Sequence, residues 1–285
     1  MLEKGITFNY MTVSQAKKVL DRNYYFNFAS YRKLFHKDAN GKYIDLDFAF
    51  LQDLSAFDIQ LREFLLDLTL DVERFAKGTI NSVVSKNPLE DGYKIVQDFK
   101  VSNTSSYNIF LNQLKCNSYY RGIYKKYYKN MPVWTFLDFI PYGTLSRFLD
   151  FTIKREGCNT KKLQQIATHL KFCKNIRNAA AHGNPFLINI FSPNELIDKP
   201  ISSIISLASE IGISRQDVRD EKVNDLVALF YLHKKIQDKD LIDRRLGQAR
   251  ELLKRLDRHK DWYSKNAEIQ RFKLILSKLV DYLGK

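Results

Sequence analysis

The chain has 285 residues, with 46 Lys and Arg against 32 Asp and Glu, a formal charge of +14. At 45% hydrophobic and 27% charged residues it is neither disordered nor collagen-like, and it can bury a sizeable core. Its 11 Gly and 6 Pro are scarce, about half of average usage, which excludes hairpin-rich all-β folds and predicts long helices with few connections.

No stretch reaches the roughly 18 uninterrupted apolar residues of a membrane span. The start, Met1-Leu2-Glu3-Lys4-Gly5, lacks the basic-then-apolar layout of a leader. Cys116, Cys158 and Cys173 form no CxxC pair, so neither a disulfide framework nor a zinc site is expected. A cytoplasmic location is expected. The charge surplus predicts an anionic partner, nucleic acid first, with a merely lysine-rich surface as the alternative.

In chain order, the segment from Thr12 to Leu34 is aromatic-rich, and Asn23-Tyr24-Tyr25-Phe26-Asn27-Phe28 interrupts its helical period. Asp38-Ala39-Asn40-Gly41 predicts a turn. From Asp45 to Lys77, Phe50, Leu54, Phe57, Leu61, Phe64, Leu65, Leu68, Val72 and Phe75 recur in steps of three and four, predicting a long amphipathic helix. Trp134 to Phe151 reads as helical around a break at Pro141-Tyr142-Gly143. Asn159-Thr160 offers an N-cap for a helix ending at His182, where Gly183 and Pro185 supply the stop. Phe186 to Phe191 predicts a short strand or buried coil, and two or three helices fill Ile201 to Gly284. No linker divides the chain, so one mainly α unit is expected.

The stretch Ile176-Arg177-Asn178-Ala179-Ala180-Ala181-His182-Gly183 carries the most chemistry. With Leu163 as zero and about 100° per residue, Ile166, Ala167, Leu170 and Cys173 fall within about 80° and form a buried stripe. Arg177 falls near about 320°, Asn178 near about 60° and His182 near about 100°, which aims all three toward that side. A buried Arg is costly unless paired. One reading pairs Arg177 with a carboxylate and makes Asn178 and His182 helix-end hydrogen-bond formers, protonated His being favoured there. The other is a phosphodiester site. Arg grips phosphate bidentately, and His has the side-chain pKa nearest neutrality. Such a pair cleaves RNA without metal, because the 2′-hydroxyl is an internal nucleophile.

Arg177-Asn178-Ala179-Ala180-Ala181-His182 resembles the Arg-Asn-x-x-x-His motif of HEPN ribonucleases. Phe57-Asp58-Ile59-Gln60-Leu61-Arg62-Glu63-Phe64-Leu65-Leu66, with Val72-Glu73-Arg74, is similar to the first core helix of the Abi-like (AbiD/AbiF) abortive-infection family within that superfamily. So are Pro132-Val133-Trp134 and Phe139-Ile140-Pro141-Tyr142-Gly143-Thr144-Leu145-Ser146. The resemblance runs from about Thr12 to Asn189. Asp138 stands in place of the family's usual Glu, Tyr142 in place of Phe, and Gly183 where many members have a second His.

The resemblance implies an all-α, HEPN-type helical bundle: an N-terminal extension (1–45), a core (46–190) and a C-terminal helical extension (195–285). It implies a metal-independent endoribonuclease of phage defence, without cofactors, that dimerises so that two motifs face one composite cleft. His182 would handle the 2′-hydroxyl or leaving-oxygen proton, Arg177 the charge on phosphate, and Asn178 the imidazole or the RNA. Asp58 and Glu73 are candidates to hold Arg177, with pairing to Arg62 or Arg74 as the alternative. An antitoxin or small non-coding RNA is a possible partner.

Tyr119-Tyr120-Arg121-Gly122-Ile123-Tyr124-Lys125-Lys126-Tyr127-Tyr128-Lys129 interleaves rings with cations. Tyr119, Arg121, Lys125, Lys126 and Lys129 are candidates for single-strand RNA contact, against a half-buried helix with its tyrosines inward. Leu207 to Val218 has the cadence of a helix-turn-helix, or of a plain helix–loop–helix. His36, His169, His233 and His259 lack partners at ligand spacing, so no metal site is expected. Two rival readings stay open: an RNA-binding module with an inactive HEPN site, and a DNA-binding regulator using Leu207 to Val218.

Overall fold

The computed structural model describes residues 1–285. The fold is all-α, as the scarcity of turn residues predicts. Its helices are α1 (Val13–Arg22), α2 (Tyr25–Ser30), α3 (Phe48–Lys86), α4 (Lys94–Ser102), α5 (Thr104–Cys116), α6 (Arg121–Tyr127) and α7 (Val133–Phe139). They continue with α8 (Tyr142–Ile153), α9 (Lys161–Ala181), α10 (Ser202–Ile211), α11 (Arg215–Val218), α12 (Glu221–Ile236), α13 (Lys239–Asp257) and α14 (Ala267–Gly284). Extended pairing is limited to isolated bridges such as Thr7 with Asp47.

The chain forms two compact units, one of residues 1–69 with 175–285, the other of residues 70–174. Compactness therefore divides the chain along other lines than the single unit in three successive segments read from the sequence. The physical reason is helix length. At about 1.5 Å per residue the 39 residues of α3 extend about 58 Å, more than one small core spans. Both α3 and α9 contribute residues to each unit.

In the first unit, Leu51, Leu54, Leu61, Leu65 and Leu68 of α3 are fully buried. So are Leu226, Val227, Leu229 and Phe230 of α12, and Leu276 and Leu279 of α14. Buried almost all round from Val223 to Phe230, α12 is an interior helix. Residues 195–285, read from the sequence as an extension, thus furnish much of this core. Ile6, Phe28, Tyr31 and Leu34 of the N-terminal segment are buried as well. Truncating any of these leucines to alanine removes about 2–5 kcal/mol.

An aromatic cluster centres the second unit. Phe136 meets Phe110 at 5.0 Å and Phe148 at 4.9 Å between ring centroids, and Phe99 meets Phe148 edge-on at 5.1 Å. Pro132 and Pro141 each precede a helix start, so the predicted break falls between α7 and α8. Of the nine apolar positions predicted on α3, only Phe75 is not buried.

Candidate functional site

The Arg177–His182 segment lies in the first unit, at the C-terminal end of α9. Its stop is a Schellman arrangement: Asn184 N donates to Ala179 O at 3.0 Å and Gly183 N to Ala180 O at 3.2 Å. Gly183 supplies the left-handed residue at φ +71°. His182 is the last residue before that reversal, and it is exposed. The predicted stop is therefore what presents the imidazole.

The loop beyond the cap is pinned by two buried carboxylates. Asp58 accepts the N–H of Phe186 at 2.9 Å and of Leu187 at 2.8 Å, and also binds Tyr31 Oη and Arg62 Nε, each at 2.9 Å. Asp220 accepts Phe191 N at 2.7 Å and caps α12 through the N–H groups of Lys222 and Val223. Lys222 Nζ donates to Ile188 O. Of the two alternatives for Phe186–Phe191, the segment is buried coil, with Asn189 and Phe191 in the left-handed region. Burial pushes both carboxyls up from the usual carboxylate range, against the pull of the N–H groups they accept.

A cleft of about 1040 Å³ opens in this unit against the same helix end. Asn175, Asn178 and His182 line it from α9, Tyr25 and Phe26 from α2, Arg32, Lys33 and Lys37 from the segment after α2, and Glu221, Lys222 and Asp225 from α12. Positions 175, 178 and 182 share one helix face, within about 60° of one another at about 100° per residue. Arg177, some 140° away from His182 by about the same arithmetic, does not line the cleft. This corrects the expected convergence of all three side chains on one face. Of the predicted stripe, Leu163, Ile166, Leu170 and Cys173 are buried and Ala167 is half-buried. The stripe does not continue toward the helix end, where Ile176 is buried and Ala181 exposed.

Asp225 lies at the α12 side of the cleft, buried, accepting Asn175 Nδ2 at 3.0 Å and Asn224 Nδ2 at 3.1 Å. Desolvation pushes its carboxyl up to about 7, helped by the nearby charges of Glu221 and Asp220 and opposed by the two amides. Burial likewise lowers the Lys222 ammonium. A carboxyl poised near neutrality in a cleft is a candidate for acid–base work. The sequence reading missed it. The available signal was a polar Asn224-Asp225 pair set in the apolar run from Val223 to Phe230.

Arg177 is half-buried, and its Nη1 lies 3.4 Å from Asn178 Oδ1. Its Nε is buried without a partner, and no carboxylate pairs with it. The two residues expected to hold it are engaged elsewhere. Asp58 binds Arg62 and the loop, its place on the buried face of α3 having removed it from the surface. Glu73 pairs with Lys77 one turn on, at 2.9 Å.

In the second unit, α6 has no fully buried residue, Tyr124 and Tyr127 are half-buried and Tyr120 packs on Phe139 at 4.9 Å, so part of the ring surface is turned inward. Tyr119 is 91% exposed, Arg121, Lys125, Lys126 and Lys129 are exposed, and Tyr124 stacks on Tyr128 at 5.4 Å. The helix-turn-helix reading fails on length. Gly212 does turn the chain at φ +84°, but α11 is a single turn and α12 is interior, so neither can lie in a groove. No helix is long and apolar enough to cross a membrane.

A family model described as Abi-like protein matches residues 18–187, more than half of the chain. The match runs from within α1 through the Arg177–His182 segment to the Leu187 amide that Asp58 holds. No curated protein and no solved structure matches the chain.

Proposed function

The chain belongs to the Abi-like family, and from that premise we propose that it is an abortive-infection effector acting as a metal-independent endoribonuclease. One observation carries the reading. Asn178 and His182 stand on the wall of a cleft that also presents Arg32, Lys33 and Lys37, so an imidazole meets a surface suited to phosphates.

In the proposed reaction His182 takes the proton of a ribose 2′-hydroxyl. The 2′-oxygen attacks the adjacent phosphorus, the bond to the 5′-oxygen breaks, and that oxygen leaves with the proton that the His182 imidazolium returns. The products are a 2′,3′-cyclic phosphate and a 5′-hydroxyl end. Arg177 stabilises charge on the phosphate and Asn178 orients the imidazole or the RNA. Arg177 does not line the cleft beside His182, and a homodimer that opposes two motifs would supply the guanidinium. Total RNA incubated in EDTA with wild type should gain cyclic-phosphate ends, and His182→Ala should yield none. Undiminished cutting by His182→Ala, or cutting only with added divalent metal, sinks the mechanism.

The position of Arg177 also favours a second reading, an RNA-binding module whose motif is inactive and which sequesters a small RNA. Overexpression separates the two. A nuclease arrests growth and its Arg177→Ala variant does not, whereas a binder and its variant are equally tolerated.

A further inference from the structure

Three successive rings of the first unit stand largely outside the core, with Tyr24 and Phe26 6.5 Å apart between ring centroids. Tyr24, Tyr25 and Phe26 are 74%, 52% and 73% exposed, while Phe28 two residues on is buried. Contiguous exposed aromatic surface marks an interaction site in a soluble fold. Its placement says what kind. Tyr25 and Phe26 line the cleft that Asn178 and His182 line. Asn27 Nδ2 donates to Gly183 O at 3.5 Å, which ties α2 to the residue directly after His182.

Cations follow immediately in the chain. Arg32, Lys33 and Lys37 line the same cleft, none in an ion pair, with Lys37 Nζ over the ring of Tyr43 at 4.9 Å. Arg32 is braced by Nε on Ala29 O at 2.8 Å, which leaves its terminal nitrogens for a ligand. The carboxylates of the cleft, Glu195, Glu221 and Asp225, belong to other segments, and Glu221 and Asp225 both face Asn175. Rings beside cations that no carboxylate neutralises are the chemistry that holds an unpaired base and its flanking phosphates.

We propose that Tyr25 and Phe26 form a nucleobase platform, so that the cleft takes single-stranded RNA with one base stacked on the rings and neighbouring phosphates on Arg32, Lys33 and Lys37. This rests on the RNA reading of the same cleft. Within a duplex each base face is covered by its neighbours, so paired RNA has nothing to offer the rings without unstacking. The platform therefore selects loops and unpaired segments, and it places the phosphate next to the stacked base toward His182.

The test uses full-length His182→Ala protein, which does not consume its ligand, and a short RNA carrying 2-aminopurine. Single-stranded RNA should be bound with quenched fluorescence, and the same strand annealed to its complement at least tenfold more weakly. Phe26→Ala in that background should bind about tenfold more weakly, without quenching and with unchanged thermal unfolding, because the ring is exposed. Lys33→Ala should lower the slope of log affinity against log salt by about one. Absent quenching, equal binding of duplex, or unchanged affinity in Phe26→Ala overturns the platform. So does a lower sedimentation coefficient in Phe26→Ala, which would mean that a second copy covers the rings. Stacking by a protein whose wild type cuts nothing sinks the nuclease reading alone, and cutting with no effect of Phe26→Ala on KM sinks the platform alone.

Discussion

Asp58 on α3 accepts the main-chain N–H of Leu187 at 2.8 Å, joining residues 129 positions apart in sequence. The same carboxylate takes the Phe186 N–H, Tyr31 Oη and Arg62 Nε, so one buried group sets the loop that leaves the motif helix. Asp58→Ala strands two amides, a hydroxyl and a largely buried guanidinium. Urea unfolding should register a loss of about 3–5 kcal/mol. Asp58→Asn should cost less, since an amide oxygen still accepts and burial already disfavours the charged form. A loss under about 1 kcal/mol for the alanine variant contradicts this role.

Gly183 tests whether the helix cap presents His182. At φ +71° an alanine is strained by about 1–2 kcal/mol, and its Cβ would meet Arg62 Nη1 at 3.4 Å. Gly212 ends α10 at φ +84° with open space around it, so Gly212→Ala carries similar strain away from the cleft. Both variants should lose comparable stability in thermal unfolding. Only Gly183→Ala should also lose RNA cleavage, and equal cleavage by the two would separate the cap from the site.

How legible this site was depends on which forces placed each part. Helix period and capping are local, so α3, α9 and the stop at Gly183 could be read from residue spacing alone. His182 and Asn178 followed from that spacing, but Arg177 did not. The arithmetic assumed one buried azimuth along α9, whereas burial passes to Ile176 near its end. Tyr25, Phe26, Asp225 and Lys222 reach the cleft through pairings between distant segments, such as Asn27 with Gly183 and Asn175 with Asp225. No periodicity encodes those. The pairing of Asp58 with Arg62 was legible from their spacing, but its hold on the Phe186 and Leu187 amides was not. Its neighbours Leu54, Phe57 and Leu61 share the buried face of α3, so beside its pair with Arg62 the carboxylate faces the loop after α9 and not Arg177.

Arg177 offers a clean separation of function from stability. Its one hydrogen bond, to Asn178 Oδ1, is long at 3.4 Å, and its Nε has no partner. Arg177→Ala should therefore unfold within about 0.5 kcal/mol of wild type. If the guanidinium stabilises the phosphate, cleavage should fall by about 10²–10³-fold. Arg177→Lys keeps the charge but not the planar fork, so it should recover only a small part. Unchanged cleavage by Arg177→Ala would remove this residue from the mechanism.

Asp225 should give the protein an inverted pH dependence over the weakly acid range. Burial raises its carboxyl to about 7 in the folded chain, against about 3.9 when unfolded. Between those values the folded chain retains a proton that the unfolded chain has released. This contribution is full below about pH 4 and is lost as pH rises through about 7. At about 1.4 kcal/mol per pH unit the charged form costs about 2–4 kcal/mol once both states are ionised. Asp225→Asn stays neutral throughout. Asn224 Oδ1 is buried without a partner, so a flip of that amide lets it accept from the introduced NH2 group while Asn175 Nδ2 still donates to the introduced amide oxygen. Denaturant unfolding should show Asp225→Asn more stable than wild type by about 2–4 kcal/mol at about pH 8, with the two converging near about pH 4. Parallel stability curves across that range would mean that Asp225 does not titrate as its burial requires.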